Sequence, residues 1–223
     1  MLIILVVLVF VIFCLVLISK FRHEEMIINI NDISLNNNEK ASIEEKIEAI
    51  AINYDKYVEI DPTEIRIEAK DIYKKPFETS GFVVFYPDDR RVYGENDFSL
   101  CPIDDCQDSE MNIKSEEIQK GDINWWLDNQ SEWDITKISR YPDTLKYVIY
   151  PNIYLGDNKG VGVSLVRLKD LDVEGDGNVD FYKEDGSSLV MSVAFEMKDK
   201  LVYGYLDVKK QTHQNIWSSI QVK

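Results

Sequence analysis

Asp172, Glu174, Asp176, Asn178 and Asp180 place an oxygen donor at every second position of one short stretch, with Gly177 inserted after the third. Calcium takes six to eight hard oxygen ligands, and a loop can supply them from alternate positions 1, 3, 5, 7 and 9. On that count Asp172, Glu174 and Asp176 offer carboxylates, Asn178 its backbone carbonyl, and Asp180 a carboxylate acting directly or through a water. Gly177 falls at the sixth position, where the sharp turn needs a residue that tolerates φ > 0. Val179, the eighth, is expected to point into the core and fix the loop to a sheet. The expected cofactor is one calcium ion. The competing reading is a plain turn between two strands, because Asp, Gly and Asn are favoured in turns for reasons of their own.

The stretch resembles the D-x-D-x-D-G loops of EF-hand proteins, dockerins and the calcium loops of integrin-type β-propeller repeats. The resemblance covers nine to twelve residues and implies nothing for the rest of the chain. Glu174 is longer than the usual Asp or Asn at the third position. Lys183 stands at the twelfth, where an EF-hand places its bidentate Glu, with Glu184 beside it. Those departures point away from a high-affinity sensor and toward a structural site of the extracellular class, with Kd on the order of 10⁻⁴–10⁻³ M.

Cys101 and Cys106 are spaced C-x4-C, close enough to bridge a short loop as a disulfide in an oxidising compartment. Zinc would need two further ligands, and the two histidines, His23 and His213, stand far from the pair in sequence. Trp125, Trp126 and Trp133 offer either a stacking or docking surface or core filling, with core expected for at least two of the three. The sequence contains no H-E-x-x-H, no G-x-S-x-G and no phosphate- or dinucleotide-binding glycine loop. With 40 acidic residues, any pair of carboxylates is easily found, so paired acids identify no hydrolase. These residues assign no catalytic role, and a non-enzyme is the favoured reading.

The elements that must position this chemistry begin with an apolar run. Met1–Ile18 carries no charge, and Lys20 and Arg22 follow it. At 1.5 Å rise per residue, about 18–20 such residues match a hydrocarbon core roughly 30 Å thick. A secretory signal would carry basic residues before the run and small ones before a cut, and neither is present. Residues 1–19 are therefore read as a transmembrane anchor, 20–40 as a juxtamembrane tether, and 41–223 as a soluble acidic α+β domain. The flanking Lys20 and Arg22 point that domain inward by the positive-inside rule. The cysteine pair and the calcium-type loop point it outward, and the extracytoplasmic side is favoured.

Only Lys20 and Arg22 are basic before Glu24, so from Glu24 onward 23 basic residues face 40 acidic ones, a charge of −17. Such a domain repels nucleic acid and anionic headgroups and suits cations or a basic protein surface. At 45% hydrophobic and 11% aromatic, the chain is rich enough to fold.

Ser42-Ile43-Glu44-Glu45 matches a capping box, and Ile43, Ile47, Ile50, Tyr54 and Tyr57 recur at helical spacing, which predicts a helix over Ile43–Val58. Glu64–Tyr73 fits helix and strand equally. Gly81–Tyr86, Pro87-Asp88-Asp89 and Arg90–Tyr93 predict a β-hairpin, Gly94–Lys114 a long acidic loop, and Asp122–Trp133 a short helix. Strands follow at Leu145–Leu155, Val161–Leu168, Val179–Tyr182, Leu189–Met197 and Leu201–Val208, separated by Gly/Asp/Asn turns. Short links favour an antiparallel meander. The fold class expected is α+β, a helical N-terminal third with a mainly antiparallel sheet behind it.

Together these features predict a membrane-anchored, extracytoplasmic acidic binding domain that docks a basic protein partner. The outline is similar to that of bacterial immunity and inhibitor proteins, an analogy of architecture with no shared motif behind it. Two other readings stand beside it: a cell-envelope enzyme acting on glycan with carboxylates and a tryptophan platform, and a structural envelope protein.

Overall fold

The computed structural model describes residues 42–103, 109–141, 143–172, 175, 177–179 and 182–223, with the side chains of 131–137 excepted. The expected anchor and tether, residues 1–40, lie outside the described residues. Among those described, no helix is long and apolar enough to cross a membrane.

The capping box forms as its residue types require. Ser42 N–H donates to Glu45 Oε2 at 2.9 Å and Glu45 N–H to Ser42 Oγ at 3.2 Å. Helix α1, Ile43–Asn53, buries Ile47 and Ile50. It ends five residues before the expected Val58, because Val58–Ile60 leaves as strand β1 and pairs in parallel with Tyr147–Ile149. Side-chain periodicity continues past Asn53, but the edge of a sheet captures the backbone there. The ambiguous stretch resolves as a three-residue strand, β2 (Ile65–Ile67), parallel to Ile153–Leu155.

Next come β3 (Lys75–Glu78), β4 (Phe82–Tyr86), β5 (Arg90–Tyr93), β6 (Phe98–Pro102) and β7 (Met111–Glu117). The expected hairpin of β4 with β5 does not form. Strand β4 pairs with β3 and with β12 (Gln221–Val222), whereas β5 pairs with β6. The turn at Pro87-Asp88-Asp89 is thus a corner between two sheets. The stretch read as a long acidic loop holds β6 and the first part of β7, where Leu100, Met111 and Ile113 are fully buried. The N-terminal part is therefore richer in strands than in helix, which corrects the expected helical third.

Helix α2 spans Ile123–Ile138, longer than expected. Asp122 Oδ1 accepts the Trp125 amide at 2.9 Å and Glu196 Oε1 accepts that of Ile123 at 3.0 Å, satisfying free donors of its first turn. The meander then runs as read: β8 (Leu145–Leu155), β9 (Asn158–Arg167), β10 (Val190–Met197) and β11 (Lys200–Asp207), all antiparallel. No strand forms at Val179 or Tyr182, and the two residues between them lie outside the described residues. The Glu184 N–H that follows reaches Arg167 O at 3.1 Å, yet no ladder with the end of β9 develops among the described residues. A last helix, α3 (Gln211–Trp217), was not read from the sequence.

The large sheet is nine-stranded in the order β1-β8-β9-β10-β11-β7-β6-β5, with β2 also on β8, and the small one is β12-β4-β3. The fold is α+β, mostly β. One core cluster joins α1 and α2 to the sheet through Ile47, Ile50, Trp126, Leu127, Tyr147 and Val163. The other joins the small sheet and α3 to the opposite face through Phe82, Val84, Phe98, Phe195 and Trp217. Gly204, paired with Ile113, has no room for a side chain, since a Cβ there would run into the Asn112 carbonyl.

Candidate functional site

The expected calcium loop is described only in part. Glu174, Asp176 and Asp180 lie outside the described residues, so the five proposed ligands cannot be placed together. Asp172 turns its carboxylate inward on the loop: Oδ1 accepts the Gly175 amide at 2.6 Å and Oδ2 the Gly177 amide at 2.8 Å. Gly175 and Gly177 have φ of 72° and 88°, the left-handed conformation expected of the residue at the sixth position. Val179 is half-buried, so it does not join the deep core. Each Asp172 oxygen keeps a further lone pair beyond these bonds, which leaves the carboxylate chemically able to hold a cation. Among the described residues no group of three or more His, Cys, Asp or Glu is arranged to hold a metal.

Cys101 is fully buried on β6 and disulfide-bonded. Cys106 lies outside the described residues. Of the tryptophans, Trp126 is in the core at 2% exposure and Trp125 is 42% exposed against Gly121. The side chain of Trp133 lies outside those described.

Among the described residues a cleft lies where none of these expectations placed one. The ladder between β9 and β10 runs from Gly160↔Phe195 to Val163↔Ser192 and stops. Beyond it β9 stays with β8 as far as Leu145↔Arg167, and β10 stays with β11 as far as Val190↔Asp207. The two halves of the sheet part at this point, and Ser164 Oγ reaches across to donate to Val190 O at 2.7 Å. A cleft of about 750 Å³ opens in the gap, within the roughly 300–1,000 Å³ typical of small-molecule sites.

Its walls come from both cores, Tyr147 and Val163 from the helix side, Tyr150 and Met191 from the other, with Asn129 and Gln130 of α2 completing the rim. Pro151 and Asn152, at the irregularity between Tyr150 and Ile153, interrupt the β8 ladder beside this wall. Among the described residues the charged ones in the lining are Arg167 and Glu184, paired at 3.2 Å. Asp61 and then Glu59 add to burial, the larger cause, in raising the Tyr150 hydroxyl above its ordinary pKa. The Tyr147 hydroxyl is buried and finds no hydrogen-bond partner among the described residues. A hydroxyl buried in that way costs about 1–3 kcal/mol.

Glu184, Gly186, Ser188 and Leu189, which follow the calcium-type loop, line the cleft. The described residues between β9 and β10 are tied to the sheet. Glu184 N–H donates to Arg167 O at 3.1 Å, Lys183 N–H to Asp170 Oδ1 at 2.7 Å, and Leu189 N–H to the buried Asp207 Oδ1 at 3.0 Å. Sequence reading missed the cleft because the splay is a property of ladder register. Pro151 inside an otherwise continuous strand was the one local signal of irregularity there.

A comparison with models of known families finds none that matches the chain, and a comparison with curated proteins finds no significant match.

Proposed function

We propose that this protein is a membrane-anchored acidic binding module whose domain lies outside the cytoplasm and docks a basic protein partner. The observation that carries the reading is the charge of −17 from Glu24 onward on a folded α+β scaffold. Opposite charge steers association and sets partner choice more than it sets final affinity. The local fields agree in sign at two separated places. After burial, Asp61 and Glu59 raise Tyr150, and Glu116 and Asp97 raise Tyr203. Residues 1–19 hold the domain at the membrane, and a disulfide between Cys101 and Cys106 closes the acidic connection between β6 and β7.

The test is affinity capture with the full chain in detergent, run at low salt and at about 0.5 M, where charges are screened beyond roughly 4 Å. A captured protein of high isoelectric point that releases at high salt is the expected result. Capture that survives high salt undiminished, or that selects acidic proteins, rejects charge-steered docking.

One calcium ion in the loop from Asp172 to Asp180 belongs to the same reading. With Kd near 10⁻⁴ M, about 1 mM calcium adds about 1.4 kcal/mol. For a domain of this size that is a rise of roughly 3–5 °C in Tm. Asp172→Asn is expected to remove the rise. An unchanged Tm in the wild-type protein removes the ion from the proposal.

A further inference from the structure

We propose that the loop between β2 and β3 docks the domain on anionic phospholipid headgroups. This surface is distinct from the acidic one, and it takes from the reading above only a membrane held nearby by residues 1–19. Ile72 stands 88% exposed in the loop, more than any other large hydrophobic side chain among the described residues. A lone exposed isoleucine needs no explanation, but this one sits among cations. Lys70, Lys74 and Lys75 flank it, and α3 brings Lys209 and Lys210 alongside. The Gln211 carboxamide donates to Glu68 O at 3.0 Å, and Gln214 Oε1 accepts the Glu68 amide at 3.3 Å. All five lysines are exposed, and the acids within the same two stretches are Glu68 and Asp71. Five lysines against two acids make a basic patch on a domain that carries −17 from Glu24 onward. Among the described residues Lys70, Lys74, Lys209 and Lys210 form no salt bridge, whereas Lys46, Lys146 and Lys200 each do.

The loop is held in one shape from below. Asn215, 2% exposed, accepts the Lys70 amide at 2.9 Å and the Asp71 amide at 3.3 Å, and its nitrogen donates to the Tyr73 hydroxyl at 3.3 Å. The backbone on both sides of Ile72 is thereby fixed before any partner arrives, which lowers the ordering cost of docking. Placement favours a bilayer over an acidic protein segment. Ile67 pairs with Leu155 at the end of β8, and Lys159, just past the turn that follows, reaches Glu44 in the first turn of α1 at 3.1 Å. The loop therefore begins at the end of β8 where the chain, having left its apolar run, enters the domain. Lysines near an anionic surface are attracted to it, and an isoleucine beside them suits the boundary between headgroups and acyl chains. The acidic remainder of the domain is repelled, so the same field that attracts the loop turns the rest away. Tethering raises the effective concentration of the loop at the bilayer, so a contact weak in itself suffices.

The experiment uses the full chain with Cys14→Ser and Ile72→Cys, the new thiol carrying an environment-sensitive fluorophore. It is reconstituted with vesicles of phosphatidylcholine alone and of equal parts phosphatidylcholine and phosphatidylglycerol. On the anionic vesicles the label is expected to shift to the blue and to be quenched by brominated acyl chains. On the neutral ones it is expected to stay in water. Lys70→Glu with Lys74→Glu is expected to abolish the shift, as is salt at about 0.5 M. A label at Ile52, 76% exposed on α1 among Glu45, Glu48 and Asp55, is expected to stay in water on both. Flotation with the neutral vesicles reports the anchor separately. Flotation with a label at position 72 that stays in water on anionic vesicles keeps the anchor and overturns the proposal, leaving the patch to an acidic protein segment. A shift that persists in the charge-reversed variant, or that the label at position 52 shares, overturns it too. A shift on anionic vesicles without flotation on neutral ones keeps the proposal and rejects the anchor.

Discussion

Trp217→Ala is expected to lower stability by about 3–5 kcal/mol, the range for truncating a large aromatic in a packed core. Trp217 is fully buried on the seven-residue helix α3. Its ring lies 5.7 Å from that of Phe195, and its indole N–H donates to Tyr205 O at 3.1 Å. Alanine therefore leaves a cavity and removes the indole's hydrogen bond to the Tyr205 carbonyl. The position matters as much as the volume. The same helix ties the two sheets together: the Asn215 carboxamide oxygen accepts the Lys70 amide at 2.9 Å, and Ser219, just beyond the helix, accepts that of Phe85 at 2.9 Å. A cavity at Trp217 loosens the junction on which those bonds depend. Urea denaturation checks it, with the midpoint falling and the m-value unchanged. A loss below about 1 kcal/mol would mean that the site collapses around the smaller side chain.

Acid is expected to destabilise the domain through His213 before most carboxylates titrate. The imidazole is buried, and its Nδ1 accepts the Asp207 amide at 3.1 Å, so the folded state needs it neutral. Burial, with Lys210 next in weight, lowers its pKa from 6.5 to about 4, against the opposing pull of Asp207 and Glu110. Between those values the unfolded chain takes up a proton that the folded chain refuses. Stability therefore falls as pH drops from 6.5 toward 4, by about 3 kcal/mol in all, and is flat with respect to this group above 6.5. The carboxyl of Glu44, lowered by a backbone hydrogen bond and then by Lys159, acts in a more acid range. Urea midpoints at pH 7 and pH 4.5 report the drop. His213→Gln keeps an acceptor for the Asp207 amide but cannot titrate, so its midpoint is expected to change much less between the two. An equal fall in both proteins would assign the acid sensitivity to other groups.

What could be read locally was read where one short stretch supplied both halves of an interaction. Ser42 and Glu45 are three residues apart, and their reciprocal bonds form as the spacing requires. The meander from Leu145 to Asp207 was legible because its strands are neighbours in sequence and its turns carry their own signature, as at Gly156, with φ of 60°. Failures came where the partner was distant. Phe82–Tyr86 alternates correctly into the core, yet its partners are Lys75–Glu78 and the C-terminal Gln221–Val222 rather than Arg90–Tyr93. Val58–Ile60 extends a helical pattern and is taken instead by β8.

The candidate sites divide along the same line. An oxygen donor at alternate positions from Asp172 to Asp180, and a left-handed glycine at Gly177, are properties of a single loop and can be read from residue order alone. So can the charge of −17 from Glu24 onward, which depends on composition and not on arrangement. The cleft cannot. Tyr147, Ser164, Glu184 and Ser192 meet because one ladder stops at Val163↔Ser192 while its neighbours continue. Ladder register is set by the whole sheet, and no stretch of sequence carries it. Residue order determined the charge, the capped helix and the acidic loop. The tertiary structure alone decided which strands pair, which tryptophans are buried and where a pocket opens, because each depends on contacts between residues far apart in the chain.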